Sequence, residues 1–221
     1  MPLMLLFRFA VVLALLGVFF FVSAGRTDLP FFWAYLVFLG AVGMTGSIAV
    51  HRNDPTLFRE RLKPGPGGKD PYLRRFAVLG MLLTYCVAAL DVGRFHWSRV
   101  PPAVRVVAVV LVGVAMAGWV WAMATNRFFS SEVRIQRDRG HHLISAGPYR
   151  FVRHPGYSVA IVLFCATPVA LGSWWALIPA VAVVGMFLRR TSLEDHLLRA
   201  ELEGYADYAC RVRFRLIPGV W

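Results

Sequence analysis

Long apolar runs separated by short polar breaks dominate the chain. Four of them, residues 3–23, 31–50, 76–90 with its continuation, and 104–125, are apolar over nearly every position. A bilayer core about 30 Å thick needs roughly 20 apolar residues in an α-helix, so each of these runs predicts a membrane span. A fifth stretch, 157–188, is too long for one straight span. Gly172-Ser173 interrupts it, Pro168 and Pro179 flank the interruption, and a helix–turn–helix hairpin with two short arms is expected there. The pattern predicts an all-α polytopic membrane helix bundle of five to six transmembrane segments, the last two a hairpin. A C-terminal tail, GYADY through RLIPG, reads as an amphipathic, aromatic and basic cytoplasmic helix able to lie along the interface. The chain divides into an N-terminal part, 1–100, with about three spans and a basic loop at 51–75, and a second half, 101–221. The second half contains a polar segment at 126–157, the hairpin at 157–188 and the tail.

Composition supports this reading. Of the 221 residues 58% are hydrophobic and only 16% charged, yet the formal net charge is +12. A soluble domain could not keep so little charge on its surface. The placement of the basic residues decides what they are for. Nineteen of the 24 Lys and Arg residues fall in 51–75, 126–155 and the segment after 188, all on one side of an alternating topology. The opposite loops hold only Arg26, Arg94, Arg99 and Arg105, while Arg8 lies inside the first run. Such asymmetry places both termini in the cytoplasm and accounts for the basic charge without nucleic acid. The apolar run ending Val22-Ser23-Ala24-Gly25 also resembles a signal peptide, but no basic residue precedes it and Arg8 interrupts it, which favours a retained span. Cys86, Cys165 and Cys210 show no ligand spacing, and no metal site is expected. The Pro64-Gly65-Pro66-Gly67-Gly68 run reads as a connector rather than a phosphate-binding loop, since no strand precedes it.

Candidate chemistry gathers in the second half. Residues 126–157, NRFFSSEVRIQRDRGHHLISAGPYRFVRHPGY, mix arginines, aromatics, three histidines and turn residues over a length that loops rarely reach without a function. His154 precedes Pro155 and Gly156 at the start of the fifth stretch, where free backbone N–H groups favour an anion. Beyond the hairpin, Arg190 and Glu194 stand at i, i+4 and share a helix face. That spacing alone is equally consistent with a surface ion pair.

GPYRFVRHPGY, followed by Arg190-Thr-Ser-Leu-Glu194, GYADY and RLIPG, resembles the catalytic half of the isoprenylcysteine carboxyl methyltransferase family, a membrane group related to phospholipid N-methyltransferases. The similarity covers roughly residues 104–221. It implies a helix bundle with a cytosol-facing pocket for S-adenosylmethionine and no Rossmann domain. On the matching positions it implies cofactor contacts at Gln136, His141, His142, Leu143, Ile144, Tyr149, His154, Pro155, Gly156, Tyr157 and Glu194. Arg190, Glu194 and Arg153 are the implied catalytic groups, with Arg190 facing the methyl acceptor. Where the family carries paired glutamates, Glu194 here is preceded by Leu193 and followed by Asp195. A lipid-like or prenylated acceptor and surrounding membrane lipids are the implied partners. A carboxylate acceptor needs only positioning by a cation, whereas an amine must first lose a proton. An NADPH-dependent reductase of the sterol reductase type and a non-catalytic membrane scaffold are the alternatives, and cofactor binding separates all three. Neither the acceptor nor the oligomeric state is legible in the sequence.

Overall fold

A computed structural model describes residues 2–54, 57 and 72–221. The basic connector at 58–71, with its Pro/Gly run, lies outside the described residues. Seven α-helices and no strand occur among them: α1 (Pro2–Ala24), α2 (Pro30–Asn53), α3 (Leu73–Leu90), α4 (Pro102–Thr125), α5 (Pro155–Leu171), α6 (Leu177–Glu201) and α7 (Tyr205–Arg211). Proline opens α2, α4 and α5, where its missing N–H costs nothing. A π-helical turn, Asp91–Phe95, extends α3.

Four segments are long and apolar enough to cross a membrane: Leu6–Ala24, Pro30–Arg52, Arg75–Phe95 and Pro102–Thr125. Their outward faces are strongly apolar. On α1, Phe7, Val12, Leu15, Val18 and Val22 are all exposed, the arrangement that suits lipid rather than water. The interior is tied together by aromatic packing and by polar groups that satisfy one another. Phe20 meets Phe32 and Tyr85 edge-on at 5.1 and 5.0 Å. The Tyr35 hydroxyl lies 3.0 Å from that of Tyr85 and 3.3 Å from Thr167 Oγ1, linking α2, α3 and α5 inside the bundle.

Helix ends sort into two sets, as alternating crossings require. At one end, Arg94 Nε and Nη2 donate to the Ser23 and Val22 carbonyls at 2.7 and 3.0 Å, capping the C-terminus of α1. Arg105 Nη2 donates to the Leu171 carbonyl at 2.8 Å and caps α5 in the same way. Both guanidiniums sit where the helix dipole is negative. Asp91, fully buried, accepts from Ser98 Oγ and from Ser173 Oγ (2.6 Å), which pins the tip of the hairpin to the end of α3. At the other end Arg139 pairs with Asp54 at 3.5 Å, joining the polar segment to the end of α2.

The hairpin turns where glycine was expected to allow it: Gly172 has φ 101°, a left-handed conformation, and closes α5 through bonds to Pro168 and Val169. Its second arm differs from expectation. The first has 17 residues, about 25 Å of helix. The second runs on past 188 to Glu201 and is 25 residues long. Hydropathy ends there but helix propensity does not, and Leu197 and Leu198 keep an apolar stripe for packing. The tail helix α7 turns its apolar side inward, where Tyr205, Tyr208 and Ala209 pack with Ile135, Leu143 and Leu198.

Candidate functional site

Loop 126–154 is held by its own polar residues. Asn126 Oδ1 accepts from the Phe128 N–H at 2.8 Å, and its Nδ2 donates to the Tyr149 hydroxyl at 3.1 Å. Gln136 Nε2 donates to the Phe128 carbonyl at 2.6 Å, while its Oε1 accepts from Arg139 at 2.7 Å. Gln136 is therefore spent inside the loop and does not line the cavity that the loop encloses. Its contribution is to place Phe128, whose ring meets His141 at a tilt with centroids 4.5 Å apart.

That cavity holds about 370 Å³ between the loop and helices α3 to α7. It brings together most of the expected residues: His141, His142, Leu143, Ile144, Tyr149, Arg153, His154, Gly156, Tyr157, Arg190 and Glu194 all line it. Pro155 does not, and serves as the first residue of α5. At Gly156 an added Cβ would come within 2.5 Å of the Phe129 ring, so the glycine is needed for that ring to close against α5.

Protonation states follow from the surroundings. Burial pushes the His141 imidazole down to about 4, with the nearby Glu194 charge opposing the shift. The Gln136 N–H donates to His141 Nδ1 at 3.2 Å, so in the neutral ring Nε2 carries the proton. Burial raises the Tyr149 hydroxyl well above its ordinary value and the Tyr208 hydroxyl to about 12, so both remain donors at neutral pH.

Tyr157 stands between the polar and apolar parts. It stacks on His154 at 5.8 Å and meets the tilted Phe187 ring at 5.7 Å, and Phe187 continues to Phe164 at 5.5 Å. The Tyr157 hydroxyl donates to Glu194 Oε2, and the Arg190 guanidinium lies 5.6 Å over its ring. Arg190 is buried, so the pair expected on one helix face is turned into the protein rather than exposed on its surface.

Arg153 sits differently from the group the sequence suggests. Its Nε donates to Asp195 Oδ1 at 2.7 Å, and its Nη1 donates to the Val212 and Arg213 carbonyls at 2.8 and 2.7 Å. Its donors are committed to α6 and the tail. Asp195, which is fully buried, also receives His154, Arg199, Tyr205 and Arg215. Burial alone would raise its carboxyl, but hydrogen bonds from His154 and Arg153 and the Arg153 charge outweigh that and hold it well below the usual carboxylate range. Sequence reasoning also passed over Asn126, Phe129, Tyr205 and Tyr208 as lining residues.

The family model for isoprenylcysteine carboxyl methyltransferases (ICMT) matches residues 106–200, the stretch that supplies most of α4, the whole loop, α5 and nearly all of α6. Residues 106–200 are thus similar to the ICMT family. The chain is 33% identical over 92 residues to protein-S-isoprenylcysteine O-methyltransferase B of Arabidopsis thaliana, covering 41% of this chain and 47% of that protein. It is 32% identical, again over 92 residues, to a probable protein-S-isoprenylcysteine O-methyltransferase of Oryza sativa subsp. indica, covering 41% and 48%. The chain thus spans about half the length of the curated relatives it matches. Tyr205, Tyr208 and the tail lie beyond the family match, although the cavity and the Asp195 cluster include them.

Proposed function

We propose that the protein is an integral membrane methyltransferase that uses S-adenosylmethionine and methylates the carboxylate of a prenylated or lipid-like acceptor. One observation carries this reading: a single cavity joins a polar end, with His141 and three buried tyrosines, to an apolar end of Met81, Trp119, Phe164 and Phe187. The polar groups suit the cofactor. Neutral His141 and the Tyr149 hydroxyl offer donors. The Tyr205 and Tyr208 hydroxyls, whose protons go to Asp195 and the Tyr149 carbonyl, offer oxygens as acceptors. Glu194 offers a carboxylate, and aromatic faces can meet a cation. When bound, S-adenosylmethionine supplies an electrophilic methyl group on a sulfonium. Catalysis by the chain's own residues is then mainly alignment. Arg190 orients the acceptor carboxylate, Glu194 and the tyrosines hold the cofactor, and the loop excludes water.

The acceptor enters from the side. Val78 lines the cavity yet is 54% exposed, on a face of α3 where Leu79 and Leu83 are exposed as well, so the apolar end opens towards lipid. The basic-residue asymmetry supports placing both termini and the cavity mouth in the cytoplasm, with α5 and α6 as the fifth and sixth crossings.

The test is calorimetry on protein in nanodiscs, titrated with S-adenosylhomocysteine and with NADPH. It is followed by transfer of labelled methyl groups to an N-acetyl farnesylcysteine and to phosphatidylethanolamine. Binding of S-adenosylhomocysteine with label on the farnesylcysteine is expected. NADPH binding without any response to S-adenosylhomocysteine overturns the proposal, and label on the phospholipid alone overturns the acceptor.

A further inference from the structure

Asp195 does not line the cavity, yet the wall of the cavity converges on it. His154 Nε2 lies 3.3 Å from its Oδ1, and the Tyr205 hydroxyl donates to the same oxygen at 3.0 Å. Arg199 and Arg215 donate to Oδ2, each at 3.1 Å. Arg153 grips both oxygens, at 2.7 and 3.2 Å.

The same segment that reaches Asp195 also holds the tail. The carbonyls of five consecutive residues each accept from residues 153–158: Val212 and Arg213 from Arg153 Nη1, Phe214 from the Arg153 N–H, Arg215 from the His154 N–H, and Leu216 from Ser158 Oγ. No regular strand pairing would engage every carbonyl in a row from one side. Side-chain and backbone donors share the row instead. A guanidinium that must grip a carboxylate and two carbonyls together needs the carboxylate fixed, and Asp195 on α6 supplies that fixed point.

We propose that Asp195 is a positioning residue of the site, acting through Arg153 and His154 to hold the tail against the cavity and to fix the His154 ring. A carboxylate accepts hydrogen bonds only, so the nitrogen facing it must carry a proton. His154 is thereby held with the proton on Nε2, and in the neutral ring Nδ1 is left as an acceptor. Among the described residues Nδ1 has no hydrogen-bond partner, and the ring borders the cavity. The residue next to the carboxylate assigned to the cofactor thus sets the tautomer of the histidine across from it.

The inference rests on the cofactor reading only for its effect on affinity, and the test separates the two. In 15N-histidine-labelled protein in nanodiscs, with the His154 signals assigned by their loss in His154→Gln, the wild type is expected to show protonated Nε2 and bare Nδ1. Asp195→Asn is expected to spread His154 over both tautomers and to weaken S-adenosylhomocysteine binding about 10- to 100-fold, the scale usual for loss of an orienting partner. Asp195→Glu keeps the charge and is expected to restore much of both. Wild-type His154 protonated on Nδ1 overturns the proposal even if no variant folds. So does Asp195→Asn with a lowered melting temperature but an unchanged tautomer and unchanged affinity. A tautomer shift in a protein that never binds S-adenosylhomocysteine leaves the positioning role standing and removes the cofactor reading instead.

Discussion

Replacing Glu194 with glutamine removes one negative charge and little else. The amide oxygen can still accept the Tyr157 hydroxyl, so the contact between α5 and α6 survives. What is lost is a charge that reaches across the cavity: it holds up the His141 imidazole against burial and adds to the raised values of Tyr149 and Tyr205. A hydrogen bond to a charged group contributes about 1.5–3 kcal/mol, which corresponds to roughly 10- to 150-fold in dissociation constant. The expected result is S-adenosylhomocysteine binding weaker by that factor, a melting temperature close to wild type, and His141 titrating still lower. Calorimetry, thermal melts and 15N-histidine spectra on one preparation read all three. Affinity within twofold of wild type, with the His141 shift present, would show that the charge is in the cavity but does not hold the cofactor.

The neighbouring cation has a different expected signature. Arg190→Ala leaves cofactor affinity nearly intact while turnover collapses, and Arg190→Lys recovers only part of it, because a point charge lacks the planar two-pronged grip on a carboxylate; initial rates beside calorimetry decide. For pH, the folded His141 value lies near 4 against an ordinary 6.5, so the unfolded chain binds more protons between them. Stability is expected to fall as pH drops through that window, and His141→Gln flattens that part of the slope in melts from pH 7 to 4; equal slopes refute it. Reporter fusions within 25–29 and 95–102 are expected to read the outer side, and those at 140 and the C-terminus the inner side. An outward C-terminal reporter reverses the topology.

The spans and the hairpin were legible because apolar length and a Gly-Ser break act locally. The extension of α6 to Glu201 was not, since a hydropathy reading stops where lipid stops, whereas helix packing continues against the loop and α7. Most of the expected residues that line the cavity were named through a motif. Two assignments depended on hydrogen-bond partners that the sequence does not reveal. Arg153 reads as a free cation beside a pocket until Asp195, 42 residues on, and the tail carbonyls, about 60 residues on, come into view. Gln136 has the donors expected of a ligand contact, and its bonds to Phe128 and Arg139 consume them. Phe129 was visible as a residue but not as a lining group, because only its closure on Gly156 brings it to the cavity.

The row of engaged carbonyls from Val212 to Leu216 bears on how the protein is made. Synthesis runs from the N-terminus, so the donors of Arg153, His154 and Ser158 enter the membrane with α5 well before their acceptors leave the ribosome. Until then a buried carboxylate and a guanidinium await the strap that completes their surroundings. A product cut short after α6 would carry every residue of the family match and still lack one wall of its cavity. Such a fragment would be inserted but loosely packed, a substrate for membrane quality control rather than a slower enzyme. Stop codons that remove residues 212–216 are thereby expected to behave as losses of protein, visible in abundance before they are visible in rate.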